Sequence, residues 1–259
     1  MPVITLTSDW NLDDFYVAAI KGRILSNDPT ITIVDINHKI KTFNTAQAAF
    51  ILRNAFQYFP PGSIHLILVN TEAGVQNDYK LVKAKGHFFI GMDNGIFSII
   101  LGEEAEEVIQ LIPEKNNLKS FPELNLYAET AIKIAKGISL SGLGKKVKEF
   151  QHRIPIRATI EENGLTGSII YIDSYENAIT NISQDLFERV CKGREFEMYV
   201  QSKYYKITKI SNSYNEVSQG ELLALFNAAS LLEIAINGGN AASLLNLDLS
   251  SSVRIEFIK

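Results

Sequence analysis

The first half of the chain alternates short β-rich apolar runs with helix-length amphipathic stretches, and no other feature restricts the fold as much. Val3–Thr7, Thr32–Ile36, Ile64–Val69, His87–Met92 and Val108–Ile112 are the apolar runs. Asp13 or Asp14 is placed to cap a helix running to about Leu25, because a carboxylate there accepts free main-chain N–H groups. Thr45 is placed to cap a second helix, whose Ala48, Leu52, Ala55, Phe56 and Phe59 share one face until Pro60-Pro61-Gly62 stops it. Tyr127–Lys136 reads as a third helix, ended by Gly137. The nearly continuous apolar character of Ile64–Val69 fits a strand covered on both faces. The pattern predicts an α/β domain over residues 1–143, with a mostly parallel sheet flanked by helices.

Near residue 143 the pattern changes. Residues 144–160 carry several charges and little periodicity, and read as a linker region. Strand-like runs follow: Ser168–Ile172, Phe196–Val200, Tyr204–Ile210, Leu222–Phe226, Leu231–Ile236 and Val253–Ile258. The one strongly helical candidate among them is Asn240–Leu245. Residues 161–259 are therefore predicted to form a C-terminal antiparallel β-barrel-like domain.

Composition narrows the function. Apolar residues make up 46% of the 259, enough for a real core, and charged residues 21%. Net charge is −4 with Lys and Arg scattered, which argues against a nucleic-acid partner. The single cysteine, Cys191, excludes a disulfide within the chain, and none of the four histidines stands at i, i+4 from another. No metal and no cofactor are expected. No apolar run approaches the ~18 residues that span a bilayer, and the N-terminus lacks a basic segment followed by a long apolar one. The expectation is a cytoplasmic protein without a membrane partner.

In an α/β sheet, ligands bind beyond the carboxyl ends of the strands. The polar residues there are Ser8, Asp9 and Asp14; Asn37 and His38; Asn70, Thr71, Glu72 and Gly74; and Gly91-Met92-Asp93-Asn94-Gly95. The first turn is not G-x-G-x-x-G, and no phosphate-binding G-x-x-x-x-G-K-[ST] occurs. Acidic groups dominate instead, and they suit a diol or a cationic ligand. Asp93-Asn94-Gly95 also fits an ordinary turn.

At these same edges the sequence resembles the S-adenosyl-L-methionine (SAM) hydroxide adenosyltransferases, also called SAM hydrolases, which are relatives of fluorinase and chlorinase. The family's T-D-F-G-x-x-D-x-Y-V opening stands here as Ser8-Asp9-Trp10-Asn11-Leu12-Asp13-Asp14-Phe15-Tyr16-Val17. Its D-I-x-H stands as Asp35-Ile36-Asn37-His38 and its Y-F-P-x-G-[ST]-[IV]-H as Tyr58–His65. Its F-[IV]-x-P-D-N-G stands as Phe89–Gly95. The second half carries Asp173, Tyr175, Asn177, Thr180, Asn181 and Ile182 in place, then Leu232-Glu233-Ile234-Ala235 and Gly239-Asn240-Ala241-Ala242.

The resemblance implies homotrimers or dimers of trimers, with SAM or adenosine held between one subunit's N-terminal domain and a neighbour's C-terminal domain. It implies ligand-binding residues Asp9, Asp14, Asp93, Asn94, Asp173, Tyr175 and Asn177. Among these, Asp14 would hold the ribose hydroxyls, Tyr175 would stack on adenine, Asn177 would bond its edge, and Asp173 would bind the methionine amino group. The implied activity is hydrolysis of SAM to adenosine and methionine by attack at C5′.

Met92 stands at a Pro of the family, Asn11 and Glu176 at Gly positions, and all three catalytic positions depart from the family. Its hydrolases activate water with an Asp, an Arg and a His; Asn70, Asn77 and Pro122 stand there in this sequence. None is a base or a fixed cation at neutral pH. The halide-binding hydroxyls of fluorinase align with Ala73 and Glu123. Glu72 and Glu123 lie on the same two segments as the changed triad. They read first as surface charge, and alternatively as a relocated base. An adenosyl-group enzyme, a non-catalytic adenosyl binder or sensor, and a structural oligomer without ligand are the readings carried forward.

Overall fold

The computed structural model describes residues 2–71, 78–113 and 120–258. The chain divides into two compact units, Met1–Ile154 and Pro155–Lys259.

The first unit runs β1 (Val3–Ser8), α1 (Tyr16–Asn27), β2 (Thr32–Asn37), α2 (Thr45–Ala55), β3 (Ile64–Leu68), β4 (Tyr79–Ala84), β5 (His87–Met92), α3 (Ile96–Leu101), β6 (Glu107–Leu111), α4 (Ala128–Ala135) and β7 (Gly144–Val147). Its strands form a seven-stranded sheet in the order β2-β1-β3-β5-β4-β6-β7. From β2 to β5 the pairings are parallel. From β5 to β7 they are antiparallel. The reversal starts at a hairpin: Lys85 and Gly86 both take positive φ, 51° and 76°, as a two-residue turn between right-twisted strands requires. Gly144–Val147, in the stretch read as linker, is the edge strand of this sheet.

Helices cover both faces. Ile20, Ile24, Tyr127 and Ala131 pack with Ile4, Leu6, Leu66 and Leu81 on one side. Leu52, Phe97 and Ile100 pack with Ile67, Val82 and Phe89 on the other. Neither Asp13 nor Asp14 caps α1. Phe15 occupies the N-cap with helical ψ of −10° and makes no side-chain cap bond. Burial of Val17, Ile20 and Ile24 holds the helix instead, each contributing about 1.5–3 kcal/mol. Thr45 is not the cap of α2 either; Asn44 Oδ1 accepts the Gln47 N–H at 2.9 Å, one residue earlier.

The second unit runs β8 (Thr159–Glu161), β9 (Gly164–Ile172), β10 (Ala178–Ser183), α5 (Gln184–Cys191), β11 (Phe196–Val200), β12 (Ser202–Ile207), β13 (Ile210–Ser211), β14 (Leu222–Phe226), β15 (Leu231–Ile236), α6 (Ala241–Leu245) and β16 (Ser252–Phe257). The sheet order is β12-β11-β16-β9-β10-β15-β14-β13, with β8 beside β9. Only the short β13–β14 pairing is parallel. β12 returns against β14, so the sheet curls into a nearly closed barrel. Leu165, Ile182, Met198, Val200, Ile234 and Ile255 fill its interior. α5 is a helix that the strand-rich reading of this half omitted. Ser183 Oγ accepts the Leu186 N–H at 3.2 Å, and Phe187 and Cys191 turn inward. No helix among the described residues is long and apolar enough to cross a membrane.

Candidate functional site

In the first unit, the ends of β1, β3 and β5 meet at a set of polar groups. Asp9 follows β1, and its Oδ2 accepts N–H groups from Phe43 (2.8 Å) and Asn70 (3.3 Å). One carboxylate thereby ties together the segments that follow β1, β2 and β3. Asn70 sits at φ 50°, a left-handed conformation that Asn tolerates better than most residues. Its carbonyl accepts from Asn94 Nδ2 at 3.2 Å, while Asn94 Oδ1 accepts the Ile96 N–H at the start of α3. Both ends of the Asn94 amide are thus engaged by main chain.

Asp93 is buried, and both of its oxygens accept the Gln151 N–H at 2.9 and 3.0 Å. Burial pushes its carboxyl up; the Gln151 N–H and the Lys80 ammonium, 3.8 Å away, oppose that rise. Gly95 completes this turn at φ 87°, where a Cβ would lie 2.4 Å from Arg153 Cγ. Asp14 is exposed on the segment before α1.

Glu123 behaves unlike a surface carboxylate. It is only 3% exposed, which overturns its reading as surface charge. It opens a π-helical turn, Glu123–Tyr127, that leads directly into α4. Such turns are rare and recur at functional sites. Burial is the first cause that pushes the Glu123 carboxyl up; a hydrogen bond from the Thr71 side chain opposes it, and the nearby Asp9 carboxylate adds to it. Burial first, and then the Glu123 carboxylate, raises the Tyr79 and Tyr127 phenols. Tyr127 OH is buried without a hydrogen-bond partner among the described residues. Phe121, next to the buried Pro122, packs edge-on against Trp10 and Tyr16. The fold therefore brings Asp9, Thr71 and Glu123 together. Glu72 and Asn77 lie outside the described residues.

In the second unit, the residues after β9 form a tight loop around Asp173. Its Oδ1 accepts N–H groups of Tyr175 and Asn177, both at 2.9 Å, and its Oδ2 accepts from Asn177 Nδ2 at 3.2 Å. Glu176 takes φ 61°, and its Oε2 accepts the Ser243 N–H at 3.2 Å. The loop holds the Tyr175 ring 76% exposed over a cavity of about 540 Å³. Asn177, Tyr214, Gly238, Gly239 and Asn240 line the same cavity. Tyr214 was not singled out in the sequence. It donates to Glu233 Oε1 at 2.6 Å, and Asn227 Nδ2 donates to Glu233 Oε2 at 3.0 Å. Burial and that hydrogen bond push the Tyr214 phenol up. The only signal for it was Glu233 in the family-like Leu232–Ala235 run, because a buried carboxylate requires a donor.

Both units match one family. Residues 4–144 match the SAM hydroxide adenosyltransferase N-terminal domain, and residues 167–254 match the C-terminal domain of the same family. The chain belongs to that family. It is 28% identical to an (R)-S-adenosyl-L-methionine hydrolase of Methanocaldococcus jannaschii, over 98% of this chain and 96% of that protein. It is 23% identical to a fluorinase of Actinopolyspora mzabensis, over 98% and 97%. A solved structure of an uncharacterized conserved protein from Thermotoga maritima superposes with TM-score 0.88 at 25% identity, covering 98% of this chain and 99% of the other.

Proposed function

We propose that the protein binds SAM and hydrolyses it to adenosine and methionine, with Glu123 as the base. The observation that carries this reading is a buried carboxylate, raised by its burial, set beside Thr71 and Asp9 at the strand ends of a SAM-hydrolase-family chain. A carboxyl shifted upward by burial is closer to the operating pH, where a general base works best. Glu123 takes a proton from water, the water oxygen bonds to C5′, and the C5′–sulfur bond breaks. Methionine leaves as a neutral thioether, so the departing group needs no proton. The positive sulfonium is lost as the bond breaks, and the water proton ends on Glu123 before passing to solvent.

In this scheme Asp9 takes the diol in place of Asp14, which is exposed before α1; both main-chain donors to Asp9 are on Oδ2, so Oδ1 is the oxygen offered to the hydroxyls, and Tyr175, Asn177 and Tyr214 receive the purine. Assembly of identical subunits, as trimers or dimers of trimers, would pair one copy's strand-end carboxylates with a neighbour's purine cavity. Asp93, Asn94 and Asp173 serve as framework, since their polar atoms already hold main chain. The second reading, a non-catalytic adenosyl binder, is favoured by Asn70 and Pro122, neither of which can act as a base.

The test is incubation of the purified protein with SAM and chromatography for adenosine and methionine. Glu123→Gln keeps the shape of the site and removes the base. A fall in kcat of about 10²–10⁴-fold is expected. Product formation unchanged by that substitution rules out Glu123; adenosine binding without product leaves the binder.

A further inference from the structure

The described residues hold a Ser–His–Asp arrangement that the hydrolysis scheme does not use. Ser8 Oγ lies 2.6 Å from His38 Nδ1, and His38 Nε2 lies 3.1 Å from Asp35 Oδ1 in a poorly aligned contact. The other Asp35 oxygen accepts from Lys21 Nζ at 2.6 Å. His38 Nε2 makes no aligned hydrogen bond to Asp35; with the neutral ring's proton on Nε2, the nitrogen nearer that carboxylate, Nδ1 accepts from the Ser8 hydroxyl. The order is that of a nucleophilic triad. Ser8 is fully buried, however, and no substrate carbonyl reaches its oxygen.

What the arrangement does control is the position of Asp9. Asp9 follows Ser8 in the chain. The turn beyond it is tied back to the same histidine, because the Asn11 N–H donates to the His38 carbonyl at 2.8 Å. Asn11 is held there at φ 64°, a conformation that costs a non-glycine residue about 1 kcal/mol or more. The segment leaving His38 then supplies the Phe43 N–H that holds Asp9 Oδ2. His38 thus anchors both the turn that carries Asp9 and the segment that grips its carboxylate.

We propose that the Ser8–His38 pair, with the Lys21–Asp35 ion pair beside it, is a positioning device that orients Asp9 for a vicinal diol. The proposal rests on the adenosyl-ligand reading above. Ser8→Ala removes the donor to His38, and Ser8→Thr keeps it. Ser8→Ala is expected to raise KM for SAM, and Kd for adenosine, by about tenfold, the scale of one buried hydrogen bond. kcat should stay within about twofold, since the lost interaction acts on binding alone. Ser8→Thr should restore wild-type KM.

Imidazole ¹⁵N spectra of the ligand-free protein should show His38 Nδ1 as an acceptor, with that signature changed in Ser8→Ala. An unchanged KM in Ser8→Ala, or equal impairment in Ser8→Thr, overturns the proposal. A wild-type protein that binds neither adenosine nor SAM overturns it through its premise, and the ¹⁵N signature then shows that the ligand reading failed while the Ser8–His38 pair itself exists.

Discussion

In the second unit, the Asp173 carboxylate accepts three N–H groups and holds Tyr175 out over an open cavity. In the first unit, the Glu123 carboxylate is buried beside the Thr71 side chain and two phenols, and one of those phenols has no hydrogen-bond partner among the described residues. Both are carboxylates on family-matching segments, yet their surroundings give them different work. A carboxylate whose oxygens are already held by N–H donors acts as a scaffold. A buried carboxylate with few donors keeps a raised affinity for protons, which is the property a general base needs. Asp93 combines the two: burial pushes its carboxyl up, while the Gln151 N–H that both oxygens accept and the Lys80 ammonium oppose that rise.

That contrast predicts where substitutions bite. The largest effect is at Glu123: Glu123→Gln should lower kcat by about 10²–10⁴-fold with little change in adenosine affinity by calorimetry. The mirror experiment is Tyr175→Ala. Losing a stacking face should weaken adenosine binding by about 1–3 kcal/mol, while single-turnover chemistry at saturating SAM is retained. A variant at Tyr175 that abolished chemistry but not binding would break the division of labour.

The units also differ in acid response. All four histidines lie within residues 1–154. His65 accepts from or donates to Thr5 Oγ1 at 2.7 Å and contacts His87 at 3.2 Å inside a ring of Phe56, Phe59 and Phe89. Burial first, and then the His87 charge, depress His65 to about 3; burial alone depresses His87. The folded state binds fewer protons than the unfolded one between about pH 6.5 and 3, so stability is present above that window and falls as pH drops through it. The loss between pH 6.5 and 5 should be about 1–2 kcal/mol. Trp10 is the single tryptophan and sits in this unit. Urea midpoints followed by its fluorescence should therefore fall over that range, and His65→Gln should flatten the fall. The smallest effect is at Tyr214, where Phe removes the bond to Glu233 but keeps the ring; adenosine affinity should drop only about threefold.

Much of the site was legible because sheet topology places it. Asp9 and Asn70 are polar residues that directly follow apolar strand runs, and a hydrogen bond joins them. The barrel strands Phe196–Val200, Leu222–Phe226 and Leu231–Ile236 have the bounds their apolar runs indicate. The helix starts were misread. Asp, Asn and Thr all cap well, and the choice among neighbouring ones is set by backbone angles that composition does not encode. β4 was missed because Lys80 and Lys83 interrupt its apolar pattern; Lys80 is in fact buried against Asp78 and Gln110. Glu123 was misjudged for a related reason. A glutamate between Pro122 and Leu124 gives no sign of burial until a π-turn rolls it inward.

Single-turnover hydrolysis of SAM in H₂¹⁸O, with mass analysis of the adenosine, tests the central claim most directly. The account predicts one ¹⁸O at the 5′ oxygen with the wild-type protein and almost no adenosine with Glu123→Gln. Absence of adenosine from the wild type, or equal labelled product from both proteins, would contradict it.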